Sequence, residues 1–222
     1  MREVISDRRR FRLISFSIAA ACGLLLWGIS PFVGGDRLSP TETTVFRWFN
    51  DLPGFLYRPL WPFMQLGNFV VIPAAVVVAL LFRKWWLAAG IAALGLGKLY
   101  LGRVVKTLVV RHRPEVLLSG VAARDDSGVG QAFVSGHVVV AVGLATLIHP
   151  YLSPRWRAVA WTLAGLVAFG RLYVGAHFPL DVVGGAALGA GIACVVHTVL
   201  GPPHAVRRER TAPETKDAVP EP

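Results

Sequence analysis

Gly170-Arg-Leu-Tyr-Val-Gly-Ala-His-Phe-Pro-Leu-Asp181 joins two uncharged apolar runs and sets a guanidinium, an imidazole and a carboxylate between them. Ionisable side chains at the edge of a bilayer are costly, so they mark function. Arg171 can hold an anion, His177 can attack it, and Asp181 can orient the imidazole and balance its charge. A polar loop between two membrane helices would also carry such residues, so the stretch gains meaning only from the chain around it.

That chain is apolar. Of its 222 residues, 54% are hydrophobic and 16% charged, and the mean hydropathy is +0.55. Soluble domains carry about 25% charged residues, so the composition is that of a membrane protein. The formal charge of +10 does not point to nucleic acid, because the basic residues form neither an amphipathic face nor an RNA-binding signature. Cys22 and Cys194 each lie inside an apolar run and imply neither a disulfide framework nor a metal pair.

Six apolar segments are long enough, or nearly so, to cross a bilayer as helices: about 13–35, 59–82, 86–102, 135–152, 158–170 and 179–200. The first continues too far beyond Cys22 for a cleaved signal peptide. The expected organisation is a basic N-terminus at 1–12, a six-helix membrane domain at 13–200 and a disordered Pro-rich tail at 201–222. Between the first two spans, Ser39-Pro40 signals a helix start, and Phe46, Trp48, Phe49, Phe55 and Tyr57 intersperse the charges. That segment reads either as a packed loop or as a short interfacial helix beside a lipid entrance.

With both termini in the cytoplasm, the short inner segments (1–12, Arg83-Lys84, 153–157 and the tail) are basic, as the positive-inside rule requires. The segments rich in candidate site residues then all fall outside, in the plasma membrane's outer face. The outer cluster Arg103, Lys106, Arg111 and Arg113 breaks that rule, as an anion site would.

Three outer segments carry the chemistry. In Lys106-Thr-Leu-Val-Val-Arg-His-Arg113-Pro114, Lys106 and Arg113 are seven apart and share a face of a continuing helix; Arg111 does not and is expected among headgroups. In Ser135-Gly136-His137, Ser135 is a natural N-cap, the helix start offers N–H groups to an anion, and His137 can give a proton to a leaving group. In the third, Asp181 sits in a first helical turn, from which it can reach His177 and fix one ring nitrogen as a donor. His137, His177 and Asp181 could serve as metal ligands, but Lys106, Arg113 and Arg171 around the same point repel a dication and attract phosphate. No metal and no cofactor is expected.

The order Lys-x6-Arg-Pro, Ser-Gly-His, Arg-x5-His-x3-Asp resembles the type 2 phosphatidic acid phosphatase superfamily of integral membrane lipid phosphatases, related to the haloperoxidases. The resemblance covers the three motifs and the six-span layout from about 13 to 200. Two positions depart: Val134 stands where the family usually has Pro, and Gly170 where it usually has Ser. The resemblance implies an all-α membrane bundle in which His177 is the nucleophile that forms a phosphohistidine, Asp181 supports it and His137 is the acid. Lys106, Arg113, Ser135, Gly136 and Arg171 would hold the phosphoryl oxygens. It also implies a lipid phosphate or diphosphate substrate, a polyprenyl diphosphate before phosphatidic acid or phosphatidylglycerol phosphate. A lipid phosphotransferase, and a non-catalytic lipid-phosphate binder or transporter, are the alternatives.

Overall fold

A computed structural model describes residues 2–125 and 130–201. The tail expected at 201–222 lies outside the described residues beyond Gly201. Among the described residues every α or 3-10 element is helical: α1 Arg2–Val33, α2 Pro40–Asn50, α3 Tyr57–Gln65, α4 Val71–Leu81, α5 Trp85–Leu108, α6 Pro114–Leu117, α7 Gly136–Ile148, α8 Pro154–Tyr173 and α9 Pro179–Leu200.

The basic N-terminal residues lie within α1, which begins at Arg2 and runs unbroken through Arg12. The second expected span, 59–82, is broken at 66–70 into α3 and α4. The third expected span is longer than its apolar run and continues to Leu108. Parts of α1, α5 and α9 are each long and apolar enough to cross a membrane, and α4 and α7 are shorter apolar helices. On α1, Phe16, Leu24, Trp27 and Phe32 face outward, as lipid-facing side chains would.

The centre of the bundle is α7 against α9, flanked by α1, α5 and α8. A helix that is apolar all round is a buried one, and α7 shows it: Val138, Val139, Val140 and Leu147 are all buried. Close approach is set by small residues. A Cβ on Gly189 would lie 2.4 Å from the Val139 carbonyl oxygen, and one on Gly185 2.7 Å from that of Ser135, so only glycine permits this backbone contact. The departure at Val134 fits the same surface, because Val134 is buried and fills the space beside Gly184.

Candidate active site

The last turns of α5 and α8 and the first turns of α7 and α9 meet at one end of the bundle. Helix α5 stops at Leu108, where Val109 turns to φ −121°, ψ 88°. From there the chain runs extended to Arg113, and burial alternates: Val109 and Arg111 point in, Val110 and His112 out, the period-two pattern of extended backbone. Lys106 and Arg113 are therefore not on one helical face, and Arg113 ends no helix; it precedes α6, with Pro114 at the first position. Lys106 donates to the Gln131 carbonyl.

Arg111 departs furthest from expectation. It is fully buried inside the protein and not exposed to headgroups. Its Nη1 donates to Asp181 Oδ1 at 2.8 Å and to Glu42 Oε1 at 3.1 Å, and its Nη2 donates to Glu42 Oε2 at 2.7 Å. The guanidinium also lies over the Phe178 ring, 4.5 Å from its centre. A buried cation needs this compensation, since a lone charge in an apolar interior is prohibitive.

Ser135 occupies the N-cap position of α7, as its residue type predicts, but its hydroxyl makes no capping bond and is buried without a protein partner. Its backbone N–H donates to the Asp181 carbonyl at 3.0 Å, and Ala132 N–H donates to the Arg111 carbonyl at 2.8 Å. These two bonds stitch the second segment to the third and to the first. His137 follows in the first turn of α7, packed beside Gly67 in the break between α3 and α4. Lys98 reaches the same turn: a Cβ on Gly136 would lie 3.5 Å from Lys98 Cε.

In the third segment, Arg171 is buried in the last turn of α8 and donates to Asp125 Oδ2 at 3.1 Å. Gly175 turns the chain at φ +77°, where a side chain would also strike Ala122 and Asn50, so glycine is required twice over. The turn closes with the His177 N–H directed to the Arg171 carbonyl at 3.3 Å, and α9 starts at Pro179. Asp181 Oδ2 accepts the Phe178 N–H at 2.8 Å and lies 3.8 Å from His177 Nδ1. The carboxylate does face the imidazole, but Arg111 and the Phe178 amide hold it, and the separation from His177 exceeds a hydrogen bond. Burial is the chief cause of a His177 pKa lowered to about 4, with the Asp181 carboxylate opposing it.

The Gly170 departure has a local reason. A Cβ there would lie 2.4 Å from Met64 Cγ, so the methionine of α3 fills the space that a serine side chain would need.

Glu42, with Arg111, is the feature that residue spacing did not reveal. Helix α2 is capped by Ser39, whose Oγ accepts the Glu42 N–H at 3.0 Å, and it turns Glu42, Phe46 and Asn50 inward at four-residue spacing. Glu42 also accepts the Leu180 N–H at 3.1 Å. Phe46 packs on Phe178 with ring centres 5.2 Å apart. Asn50 donates to the Ala122 and Tyr173 carbonyls at 3.0 and 3.1 Å. Of the two readings of this aromatic segment, the structure shows a short helix, and it braces the first motif segment through Arg111 and the third through Phe178 and Leu180.

Among the described residues, five buried side-chain atoms lack a protein hydrogen-bond partner: Nε of Arg111, Arg113 and Arg171, Oγ of Ser135 and Nδ1 of His177. Four of these residues were singled out on the three motifs, and Arg113 Nη1 ties the first motif to the third through the Ala176 carbonyl at 3.3 Å. Each orphaned buried group costs roughly 1–3 kcal/mol, so their convergence points to a polar ligand. The cluster is cationic, which selects an anion.

Comparison with known proteins agrees. Residues 83–203, more than half of the chain, match the PAP2 superfamily. An undecaprenyl-diphosphatase of Sulfolobus acidocaldarius is 28% identical over 164 residues, covering 72% of this chain and 79% of that protein. A lipid A 4'-phosphatase of Bacteroides thetaiotaomicron is 26% identical over 173 residues, covering 69% and 74%. The crystal structure of Aquifex aeolicus LpxE superposes with a TM-score of 0.64 at 26% identity, over 75% of this chain and 99% of that one. The fold is shared with a phosphatidylglycerolphosphate phosphatase of Bacillus subtilis (TM-score 0.60, 21% identity, 90% and 98% covered). The three motifs, gathered at one end of a helical bundle, therefore belong to a member of the PAP2 superfamily, an enzyme of the lipid phosphatases.

Proposed function

We propose that this chain removes the terminal phosphoryl group of a lipid diphosphate or phosphate in two steps. His177 attacks phosphorus with its Nε2 lone pair; the P–O bond to the leaving group breaks, and His137 protonates the departing oxygen. His137 then takes a proton from water, whose oxygen attacks phosphorus, and the P–N bond breaks to release inorganic phosphate and free His177. Asp181 stabilises the imidazolium through Nδ1, and their 3.8 Å separation is one that tightens as charge develops. Lys106, Arg113, Arg171, Ser135 and the amide of Gly136 spread the phosphoryl charge, the chief demand of this transfer. The observation that carries the reading is the set of orphaned buried donors on Arg113, Ser135 and Arg171, on the same three motifs as His177.

The same reading counts α3 with α4 as one broken span, which with α1, α5, α7, α8 and α9 makes six. Both termini then lie in the cytoplasm, and the cup opens on the outer face of the plasma membrane. A polyprenyl diphosphate is the favoured substrate, supported by the resemblance to the Sulfolobus acidocaldarius enzyme. The test offers purified protein a polyprenyl diphosphate and a lipid phosphomonoester, both in EDTA. Faster diphosphate turnover is expected, and His137→Ala lowers monoester turnover more, because an alkoxide leaving group needs its proton more. Dependence of release on added divalent metal would overturn the mechanism.

A further inference from the structure

At the far end of the bundle lies a cavity of about 500 Å³, bounded by Arg8 and Arg12 of α1, Arg83 and Lys84 of the α4–α5 turn, and the aromatic walls Trp85 and Trp86. His197 of α9 lines it too, sixteen residues along that helix from Asp181, which separates the cavity from the phosphoryl cup by about 24 Å. Among the described residues its lining contains no carboxylate.

Basic residues at this end follow from topology alone and establish no site. Two further observations go beyond topology. The cations from two separate elements line one cavity, whose floor is apolar: Leu87, Gly90, Leu147 and Val196. And Arg83 holds φ +57°. Its N–H donates to the Leu80 carbonyl and the Lys84 N–H to the Ala79 carbonyl, both at 2.8 Å. This is the paired bonding that ends a helix with glycine as the ordinary occupant. A non-glycine residue in that conformation is strained, and strain of this kind persists where a side chain is needed. Here the side chain retained is a guanidinium on the cavity wall. Arg12 is already engaged, its Nη2 donating to the Val199 carbonyl at 3.4 Å, which leaves Arg8, Arg83 and Lys84 as the lining cations with no side-chain hydrogen bond among the described residues.

We propose that this cavity binds the phosphodiester headgroup of an anionic phospholipid in the leaflet opposite the phosphoryl cup. Arg8, Arg83 and Lys84 contact the phosphate; Trp85 and Trp86 lie at the headgroup level, where amphipathic rings settle; the apolar floor takes the first acyl carbons. A phosphodiester has no terminal phosphoryl group, so it is a ligand there and not a substrate.

The test uses the full-length chain stripped of lipid in detergent, with vanadate present to occupy the cup, and native mass spectrometry to read retained lipid. Phosphatidylglycerol is expected to stay bound under conditions that remove phosphatidylcholine. Arg83→Gly is expected to lower phosphatidylglycerol retention about tenfold while leaving turnover unchanged and the thermal midpoint unchanged or higher, since glycine relieves the backbone. Lys84→Ser, which leaves that conformation alone, is expected to lower retention as well. Equal retention of the two lipids, or undiminished phosphatidylglycerol retention in both variants, overturns the proposal. So does full displacement by soluble glycerophosphoglycerol at equal concentration, which would assign the cavity to a free phosphodiester.

Discussion

Arg111→Met removes the cation that two buried carboxylates share. Glu42 and Asp181 both accept from Arg111 Nη1, at 3.1 and 2.8 Å, and Glu42 takes a second bond from Nη2 at 2.7 Å. Arg111 is fully buried, and so, nearly, are both carboxylates. Without it two like charges face each other in a low dielectric. Breaking a buried pair in this way costs about 3–5 kcal/mol, or on the order of 10 °C in the unfolding midpoint of a chain this size. Asp181 would also lose the bond that sets its angle to His177, and a misplacement of that kind costs on the order of 10²-fold in rate. The assay is thermal unfolding in detergent together with turnover at saturating substrate. Glu42→Gln on the Arg111→Met background should recover several degrees of the midpoint, because it removes one of the two stranded charges, without restoring turnover. A single variant as stable and active as the parent would refute the buttress. So would a double variant whose loss in midpoint is the sum of the two single losses.

His177 is held neutral by burial, its pKa lowered from 6.5 to about 4, so the nucleophilic lone pair should persist well below neutral pH. The acidic limb of kcat/KM is expected near pH 4, lost as the pH falls through that value; a limb near 6.5 that disappears in no His137 variant would contradict this. The same shift makes stability highest above about pH 6.5 and lowers it by about 3 kcal/mol as the pH falls to 4, because the unfolded chain takes up the proton first. His177→Ala should flatten that part of the pH-dependence of unfolding. Gly170→Ser should lower the unfolding midpoint, because the new Cβ and Met64 contend for one space; Met64→Ala should relieve the conflict, and an unaffected single variant would show that Met64 moves aside without penalty.

Much of the molecule was legible in the residues because its signals are local. The apolar runs announced the long helices, Pro179 marked the start of α9 to the residue, and three short motifs named the side chains that meet at one end. What stayed hidden is non-local or depends on a change of period. The run 59–82 is apolar throughout, so nothing in its composition reveals the break between α3 and α4, which places Gly67 beside His137. Arg111 was misplaced because a helical period was carried past Leu108. In extended backbone the alternation Val109, Val110, Arg111, His112 turns Arg111 to the same side as Val109, and that alternation was the available clue. Glu42 is 69 residues away from Arg111; a single carboxylate in a helix gives no sign of the partner that folding brings to it. The approach of Lys98 to Gly136 likewise depends on the packing of α5 against α7.

Every step of the proposed reaction passes through the phosphohistidine, and rapid acid-free quenching of the full-length enzyme with a substrate labelled in its terminal phosphorus detects it most directly. Acid-labile, base-stable label is expected on the peptide containing His177, formed before phosphate is released, retained longer in His137→Ala and absent in His177→Ala. Label-free protein during steady turnover, or a His177→Ala variant that still releases phosphate at the parental rate, would contradict it.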